Sequence, residues 1–366
     1  MGLKILHSAD WHLDSPFRSL PQEAGARLRE MQRALPGRVA ALCREEECDL
    51  VLLAGDLFDS PAPAKDWVNA VRRALEQCAV PVCVAPGNHD YCTDSSPWLT
   101  ESWPENVHIF TGGPDHIDLP SLDCRVYGAG YRSMDCPGLL EGFRAEGDAK
   151  WRVGVFHGDP LSLSSPCCPV TAAQVRESGL SYLALGHIHA VGSFRAGRTL
   201  CAWPGCPMGR GWDETGEKGV YLATLEERAT LRWIPLGLPQ FHDLQAEVRT
   251  DALSALEALL PPAQSPDLFR VTLTGYGAVD TQRLKSHFSH LALLELRDET
   301  RKRPETWACA GEDSLRGVYF DLLRRLAEES PERRELADLA AEISAARSAS
   351  SRRSGDSSAR RRSRSK

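Results

Sequence analysis

The amino-acid sequence predicts an α/β fold of two stacked sheets flanked by helices, followed by a small α+β unit and a helical hairpin. Three observations carry that expectation. Short apolar runs alternate with helical periodicity through the first 90 residues, the pattern of a βαβαβ beginning. Strand-like runs then outnumber helices up to residue 235, which calls for two sheets. Five polar fragments each follow an apolar run: Asp10-Trp11-His12, Gly55-Asp56, Gly87-Asn88-His89-Asp90, Phe156-His157-Gly158 and Gly186-His187-Ile188-His189. They are expected at the carboxyl ends of strands, the edge where open α/β sheets bind ligands.

In chain order, residues 3–9 read as the first strand, and 23–47 as a helix interrupted at Pro36-Gly37 because proline breaks the backbone ladder. Residues 50–54 are continuously apolar, as a strand buried on both faces should be, and Gly55 supplies a tight turn that carries Asp56 out of the sheet. Trp67, Val71 and Leu75 mark a helix over 64–78, and a buried strand over 80–85 ends at Pro86-Gly87. Further strands are expected at 107–110, 125–129, 152–156, 182–185, 220–225 and 231–234. After Pro235 and Pro239, residues 242–249, 252–260, 268–274, 280–290 and 292–296 read as strand, helix, strand, helix, strand, too short for a second catalytic core. Leu315, Val318, Tyr319, Leu322, Leu323 and Leu326 recur at helical spacing. Ser330-Pro331 opens a second helix with Leu336, Leu339, Ala340 and Ile343, which completes a hairpin.

With 366 residues, 42% apolar and 25% charged, the chain can form one large domain and a smaller one. No apolar stretch approaches the ~18 residues of a membrane span, and a cytoplasmic address is expected. The 12 cysteines, the adjacent Cys167 and Cys168 included, form no Cys-x-x-Cys pair and read as reduced thiols. Residues 347–366 hold eight Lys or Arg and one Asp, so the net charge of −7 leaves −14 on the rest. A body of that sign lacks the broad basic footprint of a protein that grips nucleic acid unaided.

The polar fragments offer carboxylate, amide and imidazole donors without thiolate, a set that suits Mn²⁺, Fe or Zn²⁺ over Ca²⁺. In Asp10-x-His12 and His187-x-His189 the partners are two residues apart, so extended backbone would point both at one ion. A pair of ions ~4 Å apart suits in-line displacement at phosphorus, and phosphoester hydrolysis is the chemistry this set points to.

The ordered set of five fragments, over roughly residues 1–235, resembles the calcineurin-like metallophosphoesterase superfamily. Residues 6–14 (Leu-His-Ser-Ala-Asp-Trp-His-Leu-Asp), 55–59 and 204–216 are similar to the SbcD and YhaO group of DNA-repair exonucleases. That resemblance implies a catalytic domain over 1–237 and a capping domain over 241–300; the helical spacing places the hairpin over 313–347, and the basic Arg/Ser tail over 348–366, with no apolar residue larger than Ala, is expected to be disordered. The resemblance implies one ion held by Asp10, His12, Asp56 and His189, and a second by Asp56, Asn88, His157 and His187, both most naturally Mn²⁺. His89 would be catalytic, contacting the scissile phosphate. It also implies DNA and an SbcC- or YhaN-like coiled-coil ATPase as partners, no membrane, and leaves a homodimer open. One departure stands out: archaeal and eukaryotic members place a second catalytic histidine where this chain has Asp59, whereas some bacterial members also have Asp.

Other readings stay open at this level. His7, inside the first strand, fits a hydrogen-bonded core residue. Arg210, in the Gly-rich loop 204–216, could meet a DNA phosphate or a partner, or the loop could be a plain turn over Trp212. The metal set alone also suits a phosphatase or small-molecule phosphodiesterase, and a weakly active regulatory subunit of the ATPase is the reading from another class.

Overall fold

In the computed structural model, the described residues are 2–136, 138–249, 251–301, 310–329, 333, 334, 336, 337, 339–341, 343 and 344. The chain begins β1 (Leu3–Ser8), α1 (Gln22–Glu45), β2 (Leu50–Leu53), α2 (Lys65–Gln77), β3 (Val82–Val84), the short α3 (Pro97–Thr100) and β4 (Val107–Ile109). It continues through β5 (Asp115–Leu119), β6 (Cys124–Gly128), β7 (Trp151–His157), α4 (Ala172–Glu177), β8 (Tyr182–Gly186), β9 (Gly192–Ala196), β10 (Thr199–Trp203), β11 (Gly219–Leu225) and β12 (Ala229–Pro235).

These strands form two six-stranded sheets, ordered β12-β11-β1-β2-β3-β4 and β5-β6-β7-β8-β10-β9. Side chains alternate across each strand, so each sheet has an inner and an outer face. Ile5, Leu50 and Leu52 of the first sheet pack against Val126, Val153, Val155 and Ala184 of the second, which makes the inter-sheet core. On the outer face of the first sheet, Leu6, Val51, Leu53 and Val82 meet Leu35 and Val39 of α1 and Val71 and Leu75 of α2. The parallel run β1-β2-β3-β4 and the parallel run β6-β7-β8 bring the ends of β1, β2, β3, β7 and β8 to one edge.

Two expectations need correction. Helix α1 is continuous through Pro36 and Gly37. Proline inside a helix costs about 3 kcal/mol, but Leu28, Leu35, Val39 and Cys43 are buried on either side of it. Fully burying a leucine or valine side chain is worth roughly 1.5–3 kcal/mol, so the packed face outweighs the lost backbone bond. Strands β5, β9 and β10 were not expected. Strands β5 and β9 are sheet-edge strands with largely exposed, polar side chains, and their pairing with β6 and β10 holds them where local pattern is silent.

The chain divides into two compact units: Met1–Asp243 with Ala263–Arg270 and His290–Glu295, and Leu244–Pro262 with Val271–Ser289 and the chain from Leu296 on. The later elements are β13 (Phe241–Val248), α5 (Ala252–Glu257), β14 (Ser265–Gly275), α6 (Thr281–His287), β15 (Leu291–Asp298) and α7 (Leu315–Glu329). Strands β13, β14 and β15 form a three-stranded sheet in that order. The Asp251 side chain caps α5 and Asp280 caps α6, each accepting from backbone N–H groups of the first turn. Phe320 and Leu323 of α7 cluster with Ala337 and Ala341. The 348–366 tail lies outside the described residues.

His7 ties the two large sheets together. Its Nε2–H donates to the Leu185 carbonyl at 3.0 Å, and its Nδ1 accepts from the Tyr182 hydroxyl at 2.8 Å. Burial presses its pKa down to about 3, against which the Leu185 hydrogen bond pulls weakly upward. The folded chain therefore refuses a proton that the unfolded chain accepts below pH about 6.5. Stability from this group is complete above that pH and falls on acidification, by at most about 1.4 kcal/mol per pH unit. Urea midpoints measured between pH 7.5 and 5 should drop less for His7→Gln than for the wild type. Parallel curves for the two proteins would contradict a buried neutral imidazole.

Candidate metal centre

The loops that leave β1 and β2 run side by side, with Asp10 N–H donating to Gly55 O at 3.0 Å, His12 N–H to Asp56 O at 2.9 Å and Leu13 N–H to Leu57 O at 2.9 Å. Within them Asp10, His12 and Asp56 adopt left-handed backbone, with φ of 54°, 45° and 52°, and His187 after β8 has φ 93°. The expected extended backbone at Asp10-x-His12 and His187-x-His189 is therefore absent. Turns at these residues take its place, and such conformations cost of order 1–3 kcal/mol each. The turn after β8 separates its two histidines: His187 Nδ1 lies 3.2 Å from Asn88 Oδ1, whereas His189 Nε2 lies 3.2 Å from His12 Nε2. Gly55 is required by space as well as by its φ of 92°, because a Cβ there would come within 2.3 Å of His157 Nδ1.

Hydrogen bonds fix the direction of the donor atoms. His12 Nδ1–H donates to Asp59 Oδ1 at 3.1 Å, and His189 Nδ1–H to Glu214 Oε1 at 2.7 Å. In the neutral rings with both protons on Nδ1, the two Nε2 atoms carry lone pairs that face each other across 3.2 Å. Burial lowers the His189 pKa, but its bond to Glu214 and the Asp10 charge raise it by more, so a proton on His189 Nε2 also relieves this opposition. The same opposition recurs at a second point. His157 Nδ1–H donates to the Ala54 carbonyl at 2.9 Å, which leaves its Nε2 lone pair facing the Asn88 amide oxygen at 2.8 Å. Asp56 Oδ2 stands between the two points, 3.6 Å from His12 Nε2 and 3.5 Å from His157 Nε2. Lone pairs so arranged repel one another unless a proton or a metal cation lies among them, and their nitrogen and oxygen chemistry suits transition-metal ions. Donor atoms of Asp10, His12 and His189 lie within 4.8 Å of one another, as do those of Asp10, Asp56 and His157. All seven expected ligands, Asp10, His12, Asp56, Asn88, His157, His187 and His189, thus meet in one cluster.

His89 sits at its rim, its side chain 38% exposed and its ring edge-on to His12 at 4.7 Å. Its ring also comes within 4.8 Å of donor atoms of His12 and Asp56. Its backbone N–H donates to Asp56 Oδ1 at 2.8 Å, which aims the carboxylate.

Sequence reasoning gave Asp90 and Glu214 no role and offered Arg210 only as a contact for a DNA phosphate or a partner. Asp90 is fully buried and accepts four backbone N–H groups: Gly87 at 2.7 Å and Asp56 at 3.2 Å on one oxygen, Leu57 at 2.8 Å and Phe58 at 3.3 Å on the other. One carboxylate thus joins the loops that carry Asp56 and Asn88. Burial, with the neighbouring Asp56 charge, pushes its pKa up to about 7. Glu214 and Arg210 form a clasp on the other side. Arg210 donates to Glu214 Oε1 at 2.9 Å and to Asp59 Oδ1 at 3.1 Å, so it holds the two carboxylates that orient His189 and His12. Burial pushes the Glu214 carboxyl up, but its bonds to His189 and Arg210 pull it down by more, to about 2. Burial and then the Arg210 charge keep His12 neutral, well below its ordinary pKa. Burial and then His157 press His187 down to about 4. The position of Glu214 four residues after Arg210 in a Gly-rich loop was the one available signal for the clasp.

Residues 3–191 match the model of the calcineurin-like phosphoesterases, just over half of the chain, and the chain belongs to that family. It is a metallophosphoesterase with a candidate dinuclear site. Its relatives include the "Uncharacterized metallophosphoesterase YhaO" of Bacillus subtilis, 35% identical over 60% of this chain and 57% of that protein. Another is the SbcD component of the SbcCD nuclease of the same organism, 26% identical over 58% of this chain and 64% of that one. The chain therefore spans less than two thirds of either relative. Among solved structures, a dimetal phosphatase from Danio rerio matches 64% of this chain and 96% of its own, at 14% identity and a TM-score of 0.45. Among the described residues, no helix is long and apolar enough to cross a membrane.

Asp56 Oδ2 lies 3.6 Å from His12 Nε2 and 3.5 Å from His157 Nε2, one ring of each opposition. Metal analysis of purified Asp56→Ala should find the content of transition ions reduced from about two per chain to well below one. Full occupancy in that variant would remove Asp56 from the bridge.

Proposed function

We propose that the chain is a two-metal phosphodiesterase that degrades DNA from its ends, working with an SbcC- or YhaN-like coiled-coil ATPase. The observation that carries the hydrolase reading is the pair of lone-pair oppositions with Asp56 Oδ2 between them. In this reading Asp10, His12, Asp56 and His189 hold one divalent ion, and Asp56, Asn88, His157 and His187 the other, with Mn²⁺ the favoured metal. Such ions supply Lewis acidity to a phosphodiester and a usable nucleophile at neutral pH. DNA as substrate is supported by the similarity to the SbcCD nuclease component over 257 residues.

The chain's own residues supply the rest. Asp59 and Glu214 orient His12 and His189 before substrate arrives, so little rearrangement is needed during the reaction. His89, 38% exposed, held through its backbone by Asp56 and with its Nδ1 4.0 Å from Asp59 Oδ1, is the side chain placed to meet the scissile phosphate. It can donate a proton to the leaving oxygen or stabilise the charge that develops there. Asn88 turns the other way, its amide oxygen toward His157. Neighbours in one turn therefore have different work.

His89→Ala should keep its metal and its DNA affinity while single-turnover cleavage falls about 10²- to 10⁴-fold. Asn88→Ala should lose metal. A metal-depleted His89→Ala, or one that cleaves at the wild-type rate, would overturn this division. If both variants behave as stated on a small phosphodiester but neither the wild type nor any variant cuts end-labelled DNA, the substrate assignment fails and the hydrolase reading stands.

The ATPase reading is supported by α7, whose Leu315, Val318, Leu322 and Leu326 are 90%, 55%, 54% and 40% exposed. These residues recur at helical spacing, the form in which a partner helix reads a surface. Leu322→Asp with Leu326→Asp should abolish capture of the ATPase in a pull-down and leave hydrolysis of a small phosphodiester within about two-fold of the wild type. Undiminished capture would move the interface elsewhere.

A further inference from the structure

A cavity of about 680 Å³ opens at the other end of the strands that carry the metal centre. It is lined where β7, β8 and β10 begin and where β11 turns into β12. His157 ends β7 and Trp151 begins it, so at ~3.3 Å per residue the cavity is roughly 20 Å from the metal cluster. Six cationic side chains line it: Lys150, Arg152, Arg176, Arg195, Arg198 and Arg228. Only Glu226 and Glu227 oppose them, which leaves the lining at +4. The body outside the basic tail carries −14, so a concentration of positive charge here runs against the composition of the chain.

Most of this charge has no internal use. Lys150 lies over the Trp151 ring at 4.6 Å, and Arg195 donates to backbone carbonyls of Arg198 and Ala229. None of the six is in an ion pair with a carboxylate among the described residues. Arg152 Nε is buried without a hydrogen-bond partner among them, a state that costs free energy unless a ligand satisfies it. Guanidinium forks match phosphate oxygens in pairs, and a cavity of 300–1,000 Å³ is the size that encloses a small molecule.

We propose that this cavity binds clustered phosphates, as found in a nucleoside polyphosphate, at a site separate from the metal centre. The phosphates of a single DNA strand share that chemistry, and binding measurements can tell the two sources apart. Arg152, Arg176 and Arg198 would grip the phosphate oxygens, with Lys150 and Arg228 adding charge at the rim.

The test uses the full-length protein stripped with chelator, so that phosphates cannot bind through metal. Calorimetric titration with sodium tripolyphosphate, ATP and a short oligothymidylate should show saturable binding of at least one of them. Arg152→Ala with Arg198→Ala should weaken it at least ten-fold, while Mn²⁺-dependent hydrolysis of a small phosphodiester stays at the wild-type rate. Tighter binding of tripolyphosphate and ATP than of the oligonucleotide identifies the polyphosphate source; the reverse order, with the same loss in the variant, identifies a strand. Should that variant fail to fold, Arg198→Glu with Arg228→Glu, both exposed, gives the same reading. No binding by the wild type, or equal binding by the variants, would overturn the proposal.

Discussion

The site depends on one electrostatic constraint: with the rings neutral, four acceptor atoms, belonging to His12, His189, His157 and Asn88, are held face to face in opposed pairs with a carboxylate oxygen of Asp56 beside them. In water such groups would turn outward and hydrate. Here the three rings are anchored from behind by hydrogen bonds that remove their alternatives. Asp59 and Glu214 fix two of them and the Ala54 carbonyl fixes the third, so the repulsion is built into the folded chain and a cation relieves it.

The fold accommodates this by placing strain where hydrogen bonds are dense. Left-handed residues at Asp10, His12 and Asp56 would unravel singly, yet the paired loops after β1 and β2 and the four N–H groups on Asp90 hold them. The inter-sheet core fixes the other half of the site. His7 bonds across it to Tyr182 and Leu185, which keeps β8, and so His187 and His189, at a set distance from β1. Gly186 permits that approach, since a Cβ there would lie 2.0 Å from the Ala54 carbonyl oxygen. The candidate metal site, stability and the sheet interface are therefore coupled through a few buried polar contacts.

Much of this was legible in the sequence because apolar runs followed at once by Asp, Asn or His report both a buried strand and its functional end. The five polar fragments came from that pattern, the two sheets from the excess of strand-like runs over helices, and the family and its set of seven residues from the resemblance of the ordered fragments. The backbone at the site was not legible: period-two spacing argues for extended chain, and only tertiary hydrogen bonds make turns of Asp10-Trp11-His12 and His187-Ile188-His189. Asp90 was visible as part of a motif, but three of the four N–H groups it clamps lie 32 to 34 positions away. Glu214 and Arg210 carried no signal beyond their spacing, since their partners Asp59 and His189 lie elsewhere in the chain. Pro36 misled because local propensity was read without the burial on either side of it. Edge strands β5 and β9 were silent because their side chains face solvent.

The most direct measurement of the opposed-lone-pair arrangement is a calorimetric titration of the chelator-stripped protein with Mn²⁺, paired with the thermal unfolding midpoint at each addition. The arrangement predicts saturation at about two ions per chain, with a midpoint that rises through both, because each ion removes a repulsion present in the folded state and absent from the unfolded one. Saturation at a single ion, or binding that leaves the midpoint unmoved, would contradict it.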